Sequence, residues 1–154
     1  MATTETDPQT EQEAESAANA WEEALIADLR ANGGRPSGGP LAGQPLLLMW
    51  STGAKSGKKR RSILTYSHDG EDLVVVGSKS GAPTHPAWYF NVQKDPNVTL
   101  EVANETYAAT AKVETGAEHD RLWAQHVEHL PGFGAYPAQT GGRIIPTIRL
   151  TRKA

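Results

Sequence analysis

Five of the chain's 15 lysines and arginines fall within seven residues: Lys55, Lys58, Lys59, Arg60 and Arg61. Gly53 and Gly57 flank the first of them. Glycines so placed let a backbone turn sharply and bring its amides against an anion. Arg60 can grip a phosphate through two parallel N–H bonds, and charge-assisted bonds contribute roughly 1.5–3 kcal/mol each. Lys79 adds a cation, Ser78 a hydroxyl donor, and Trp88 and Tyr89 flat surface for a ring. No nucleophile or acid–base triad accompanies them. The combination suits an anionic organic molecule that carries its own chemistry, as redox cofactors do. Singly, each has a plainer reading: a solvated turn for the basic run, a strand-end cap for Ser78, a core position for Trp88.

Other chemical motifs fail on spacing. The stretch from Gly53 to Lys59 looks like a phosphate-binding Walker loop. Only three residues precede Gly57-Lys58 where four are needed, however, and Lys59 stands where a metal-binding hydroxyl belongs. Gly77-Ser78-Lys79-Ser80-Gly81 has lysine where a nucleophile elbow needs serine. Ser56 and Lys59 fit Ser-x-x-Lys without its partner motifs. The absence of cysteine removes disulfides, thiolate catalysis and cysteine-bound zinc or iron–sulfur clusters. His68, His85, His119, His126 and His129 come without a carboxylate pair at ligand spacing, so no metal is expected and the histidines read as surface groups. A basic hairpin beside Tyr66 invites nucleic acid, but no aromatic–basic interleaving supports it, and no nucleic-acid partner is expected.

Charge is divided along the 154 residues. Residues 1–28 hold eight acids and no lysine or arginine, so the net −3 conceals a cationic remainder. The acidic start is not a signal peptide, and no apolar run approaches the ~18 residues of a membrane span. The expected setting is the cytoplasm.

The elements that must hold these residues can be read in order. Residues 1–12 are expected to be a disordered acidic tail, and 13–31 a helix, apolar at Ala14, Ala17, Ala18, Trp21, Ala24, Leu25 and Leu29. Its acidic opposite face favours packing on its own domain or on a sister chain over a lipid surface. Residues 32–45 read as a Gly/Pro-rich linker. Residues 46–154 form the remaining domain. Strands are expected at 46–52, 60–67 and 72–78, with His68-Asp69-Gly70 as a hairpin turn. A short helix capped at Thr84 runs to about Lys94. Strands at 98–103 and 106–114 precede an amphipathic helix at 117–130 and a Gly/Pro-rich loop at 131–142. A last strand, 144–150, contains Pro146, which suggests an edge or a bulge. Strands follow strands directly, which excludes a doubly wound parallel sheet. The expectation is mainly β: a six-stranded antiparallel barrel with peripheral helices.

In those same residues the chain resembles the deazaflavin-dependent nitroreductase family, the A-type flavin/deazaflavin oxidoreductases of actinobacteria. The motifs run in order. First come Thr52-Gly53-Ala54-Lys55-Ser56-Gly57 with Arg60, then Leu64, Tyr66 and Asp69-Gly70. Next come Ser78-Lys79 with Gly81-Ala82-Pro83, Pro86, Trp88-Tyr89 and Asn91, followed by Asp95-Pro96-Asn97-Val98. The likeness continues through Glu118, Asp120-Arg121-Leu122-Trp123, Pro131-Gly132-Phe133, Tyr136 and Ile145-Pro146, and covers about residues 30–150.

The resemblance implies a split β-barrel of the FMN-binding type that holds coenzyme F-420, a deazaflavin with a phosphodiester and a glutamate tail. It implies a cofactor lining of Ala54, Lys55 and Ser56; Arg60, Arg61, Ser62, Ile63, Leu64 and Thr65; Val76, Gly77, Ser78 and Lys79; and Ala87, Trp88, Tyr89, Phe90 and Asn91. Lys55 and Arg60 would meet the phosphate, with Lys79 near the tail. The reaction implied is hydride transfer to a small-molecule acceptor, a quinone or the activated C=C bond of a conjugated carbonyl, with Tyr136 and Ser78 as donors to the developing charge. A non-enzymatic F-420, FMN or haem carrier on the same barrel is the alternative. A homodimer is compatible with the resemblance. The chain departs from the family at Leu130 and Phe133, where nitroimidazole-activating members have a tyrosine-rich loop. It also has Ile63 where proline is common and Ala87 where a larger residue often lies over the ring.

Overall fold

The computed structural model describes residues 8–38 and 42–154, with side chains of the first helix from residue 20 onward. Residues 1–7 of the expected tail and 39–41 of the expected linker lie outside the described residues. Helix α1 (Pro8–Ala31) begins ahead of the expected residue 13. It ends where Asn32, Gly33 and Gly34 leave helical geometry, the Gly34 N–H donating to Leu29 O at 2.8 Å with φ +90°.

Seven strands follow: β1 (Leu46–Thr52), β2 (Lys59–Thr65), β3 (Ser67–Asp69), β4 (Asp72–Val76), β5 (Asn97–Val102), β6 (Glu105–Glu114) and β7 (Thr147–Arg152). Helix α2 (Ala87–Lys94) lies between β4 and β5, and α3 (Gly116–His129) between β6 and β7. All pairings are antiparallel, in the order β2-β1-β5-β6-β7-β4-β3. The fold is the expected split barrel, with seven strands where six were expected. The extra strand arises at Tyr66. There the chain bends, the Tyr66 N–H donates to Pro45 O at 3.2 Å, and the side chain enters the core. Residues before the bend pair with β1 and those after it pair with β4. One bent segment therefore supplies both outer strands, which is how a curled sheet approaches closure. The expected meander is corrected accordingly: the hairpin joins β3 to β4, and β2 and β4 are not neighbours.

The barrel interior is filled by Leu47, Met49, Leu73, Val75, Val98, Leu100, Ile148 and Leu150, closed at one end by Trp88 and Val92 of α2. Inward residues alternate along each strand, as the pleat requires. The wholly apolar start of β1 follows from burial on both faces. Leu47 and Met49 point into the barrel, while Leu46, Leu48 and Leu29 of α1 line one small recess outside it. Pro146 sits just before β7, an interior strand between β4 and β6. The expected edge or bulge is absent because the proline precedes the ladder, where its missing N–H costs nothing. Its carbonyl still accepts from Gly77 N at 2.9 Å. A Cβ on Gly77 would lie 2.7 Å from Pro146 Cγ, so this close approach requires glycine.

The histidines correct the surface reading. His126 is fully buried on α3, its Nδ1 2.7 Å from Ser67 Oγ. His119 Nε2 lies 2.7 Å from Ile145 O. Their helical spacing in sequence gave no hint of the partners that distant segments bring to them. Burial, with His129 nearby, pushes the His126 imidazole down to about 4. The unfolded chain takes a proton near pH 6.5 that the folded chain refuses until about pH 4. Stability is therefore complete above the unfolded value and falls as pH drops through this window, by on the order of 3 kcal/mol. Urea unfolding at pH 7 and pH 4.5 is expected to show that loss in the wild type and a much smaller one in His126→Leu. Equal losses would remove His126 as the cause.

Candidate functional site

A cleft of about 810 Å³ opens along the outer edge of β2. Its walls are Ser62, Ile63, Leu64 and Thr65 of β2, Val76 at the end of β4, Ser78 and Lys79, and Pro86 and Trp88 at the start of α2. Trp21, Glu22 and Leu25 of α1, Arg35, residues 42–46, and His129, Leu130, Phe133 and Tyr136 complete the lining. Among the described residues β2 has no strand partner on this edge, where its outward backbone N–H and C=O groups can meet a ligand.

Strand β4 ends at Val76, and the chain then makes a one-turn 3₁₀ helix over Lys79–Gly81. Ser78 opens this turn without spending its hydroxyl on a cap, and the residue is buried at the cleft wall. Lys79 is exposed, with φ +46°, a left-handed conformation uncommon for a residue with a Cβ. Such local strain of roughly 1–3 kcal/mol collects where a side chain must be aimed. Lys79 Nζ donates to Thr84 Oγ1 at 3.2 Å. The indole of Trp88 is buried between the barrel core and the cleft.

The basic turn between β1 and β2 is a compact loop: Gly53 N donates to Lys58 O at 2.7 Å, and Gly57 N to Gly53 O at 2.9 Å. Gly57 has φ +70°, which favours glycine. Asn91 of α2 fastens the loop, accepting from Ala54 N at 2.9 Å, and Lys94 Nζ donates to Ala54 O at 2.6 Å. Lys55, Ser56 and Arg60 are exposed on this turn, next along the strand from the cleft wall at Ser62. The Arg60 guanidinium reaches back to Ser56 Oγ at 3.5 Å.

Of the residues expected to line the cofactor, Ser62, Ile63, Leu64, Thr65, Val76, Ser78, Lys79 and Trp88 share this cleft with Tyr136. The others stand around it. Arg61 bonds to Glu23 at 2.7 Å and Glu22 at 3.1 Å, lies over the Trp50 ring, and so straps α1 to β2. Tyr89 packs on His85, ring centroids 4.6 Å apart, and lines a second groove. Phe90 and Ala87 are exposed on α2, Asn91 holds the basic turn, and Gly77 makes the close approach to Pro146. Sequence reasoning missed Trp21, Leu25 and Arg35 as cleft residues; no local motif marks them, because α1 is held at the cleft by distant partners such as Arg61 and Glu101.

The second groove, about 840 Å³, is lined by Glu114, Asp120, His85, His119 and Arg143. Its Arg143 is taken up by backbone carbonyls, so this groove has less to offer an anion. The first cleft has Arg35 and Lys79, and its one carboxylate, Glu22, is engaged by Arg61. Among the described residues no group of three or more His, Asp or Glu can hold a metal ion, and no helix is long and apolar enough to cross a membrane.

A split barrel with an open strand edge over a buried indole, hydroxyl donors within and cations at the rim is the architecture of a protein that holds an anionic ring cofactor. Comparison with known proteins agrees. The family model for F-420H(2)-dependent quinone reductases matches residues 22–151. An F-420H(2)-dependent quinone reductase of Mycobacterium tuberculosis is 37% identical over 112 residues, 71% of this chain and 74% of that protein. A solved F-420-H2-dependent reductase, FDR-A, superposes with a TM-score of 0.63 at 36% identity, over 69% of this chain and 93% of its own. A further structure, described as a domain-swapped dimer, gives 0.64 at 32% identity over 87% and 98%. The chain belongs to the F-420H(2)-dependent quinone reductase family. It is an F-420-dependent oxidoreductase, and its cofactor is coenzyme F-420.

The residues present fit that group. The unspent Ser78 hydroxyl, the free edge of β2 and the Lys79 ammonium are donors for an electron-rich, anionic molecule, and Val76 and Trp88 give a flat apolar surface.

Proposed function

We propose that the chain reduces quinones and the activated C=C bonds of conjugated carbonyl compounds, using one cleft for both cofactor and acceptor. The observation that carries this reading is the division of the cleft. Polar donors and a strand edge come from β2 and Ser78–Lys79, while α1 and the 130–136 loop bring Trp21, Leu25, Leu130, Phe133 and the Tyr136 hydroxyl, with Glu22, Arg35 and His129 beside them. The first set would hold the deazaflavin through Ser62, Thr65, Ser78, Lys79 and Trp88, with Lys55 and Arg60 toward its phosphate. The second suits a planar, neutral acceptor. When bound, the reduced deazaflavin supplies a hydride, which with one proton converts a quinone to its hydroquinone.

The chain's own work is to align the two rings, exclude water and donate to the acceptor oxygen as charge develops there. Tyr136 is the donor in this reading; its ring lies edge-on against Phe133 at 5.3 Å, and Phe133 is backed by the buried His126 at 4.7 Å. With Phe133 and Leu130 in place of further hydroxyls, the wall favours quinones over nitroimidazoles. The protein works in the cytoplasm, and a second copy is its natural partner, as the dimeric relative suggests.

The test is anaerobic oxidation of the reduced coenzyme, followed by absorbance, with menadione, cyclohexenone and a nitroimidazole as acceptors. Turnover is expected with the first two, and fastest with menadione. Cofactor binding with no turnover on either would replace this reading with a carrier.

A further inference from the structure

Five arginines, Arg30, Arg61, Arg121, Arg149 and Arg152, meet carboxylates. Arg143 meets none among the described residues. Its guanidinium instead gathers backbone carbonyls. Nη1 donates to Gly77 O at 2.8 Å, Nη2 to Ser78 O and Ala82 O at 2.8 Å each, and Nε to Ala82 O at 3.1 Å. Nη1 also lies 3.0 Å from His85 Nδ1, which must accept because the guanidinium has only donors. Four carbonyl bonds from one half-buried cation converge on the segment that carries Ser78 and Lys79.

That segment has few other reasons to hold its shape. Among the described residues its backbone bonds are three: Gly77 N to Pro146 O, Gly81 N to Ser78 O and Ala82 N to Lys79 O. Lys79 is left-handed at φ +46° and Gly81 at φ +82°. The loop carrying Arg143 braces it from the far side: Thr140 Oγ1 donates to Arg143 O at 2.9 Å, and a Cβ on Gly81 would lie 2.7 Å from Gln139 Oε1. With the carbonyls of 77, 78 and 82 drawn toward Arg143, the Ser78 and Lys79 side chains are left to the cleft they line.

We propose that Arg143 is a positioning residue for the cofactor: by gathering these carbonyls it fixes Ser78 and Lys79 at the cleft wall. The planar fork of arginine reaches three separate carbonyls at once, and a lysine ammonium cannot span them. The inference rests on the assignment of that cleft to F-420.

Two measurements on wild type and Arg143→Lys decide it: the F-420 dissociation constant from fluorescence titration, and amide hydrogen exchange of the cofactor-free protein by mass spectrometry. In Arg143→Lys the dissociation constant is expected to rise tenfold or more. Residues 77–84 should exchange at least tenfold faster while β1, β5 and β6 keep their wild-type rates. A rise in dissociation constant below tenfold, unchanged exchange at 77–84, or acceleration spread evenly over the barrel overturns the proposal. If the variant does not fold, the wild type still decides: Gly81 and Ala82 amides protected well beyond an open loop support the clamp, and freely exchanging ones overturn it. A wild type that binds no F-420 sinks the reading of the cleft instead, and the exchange result separates that failure from this one.

Discussion

Lys79→Glu is expected to weaken F-420 binding by on the order of 100-fold, the cost of losing one charge-assisted bond and adding a like charge beside an anionic arm. Lys79 is exposed, and its side-chain bond to Thr84 Oγ1 is a surface contact. The loss should therefore appear in the dissociation constant and not in the melting temperature. Two comparisons sharpen it. Lys79→Gly removes the charge but relieves the left-handed strain at φ +46°. Its stability should rise by up to about 1 kcal/mol while its F-420 affinity falls. Lys55→Ala with Arg60→Ala should weaken binding less, roughly tenfold, because both cations stand in high dielectric beyond the cleft wall and are more strongly screened. Fluorescence titration at 50 and 500 mM salt measures all three. Wild-type affinity in Lys79→Glu would remove the ammonium from the site.

Tyr136→Phe is expected to lower kcat with menadione by roughly 100-fold, the usual size of a lost donor to developing oxyanion charge. The ring and its edge-on contact with Phe133 remain, so the F-420 dissociation constant should stay within about twofold of wild type. A loss confined to kcat marks an interaction made in the transition state, whereas a loss confined to KM marks simple acceptor binding. Unchanged kcat would leave the proton to solvent and Tyr136 to the wall.

These expectations draw on a site that was only partly legible beforehand. Strand and helix positions follow from local pattern, since Val98 and Leu100 alternate with polar residues along β5 and α3 follows its apolar stripe. What the pattern missed depends on residues far apart in the chain. The bend at Tyr66 is invisible in a run that reads as one strand, because the reason for it is closure of the barrel against Pro45. His126 looks like a surface residue until Ser67 arrives from another element. Arg61 sits in a basic run that suggests anion binding, yet Glu22 and Glu23 reach it from α1 across the linker. Arg143 is one arginine in a Gly/Pro-rich loop, and its partners are carbonyls, which leave no trace in side-chain chemistry. Ser78, Lys79 and Trp88, which sequence singled out by their side-chain chemistry, do line the cleft, because that chemistry is legible without knowing their neighbours.

Amide and indole N–H chemical shifts recorded during titration with F-420 test the placement of the cofactor most directly. The largest changes are predicted at Ser62, Thr65, Ser78, Lys79 and the Trp88 indole, with smaller ones at Lys55 and Arg60. Changes centred on His119, Asp120 and Ile144 in the opposite groove, or none at all with saturating coenzyme, would contradict it.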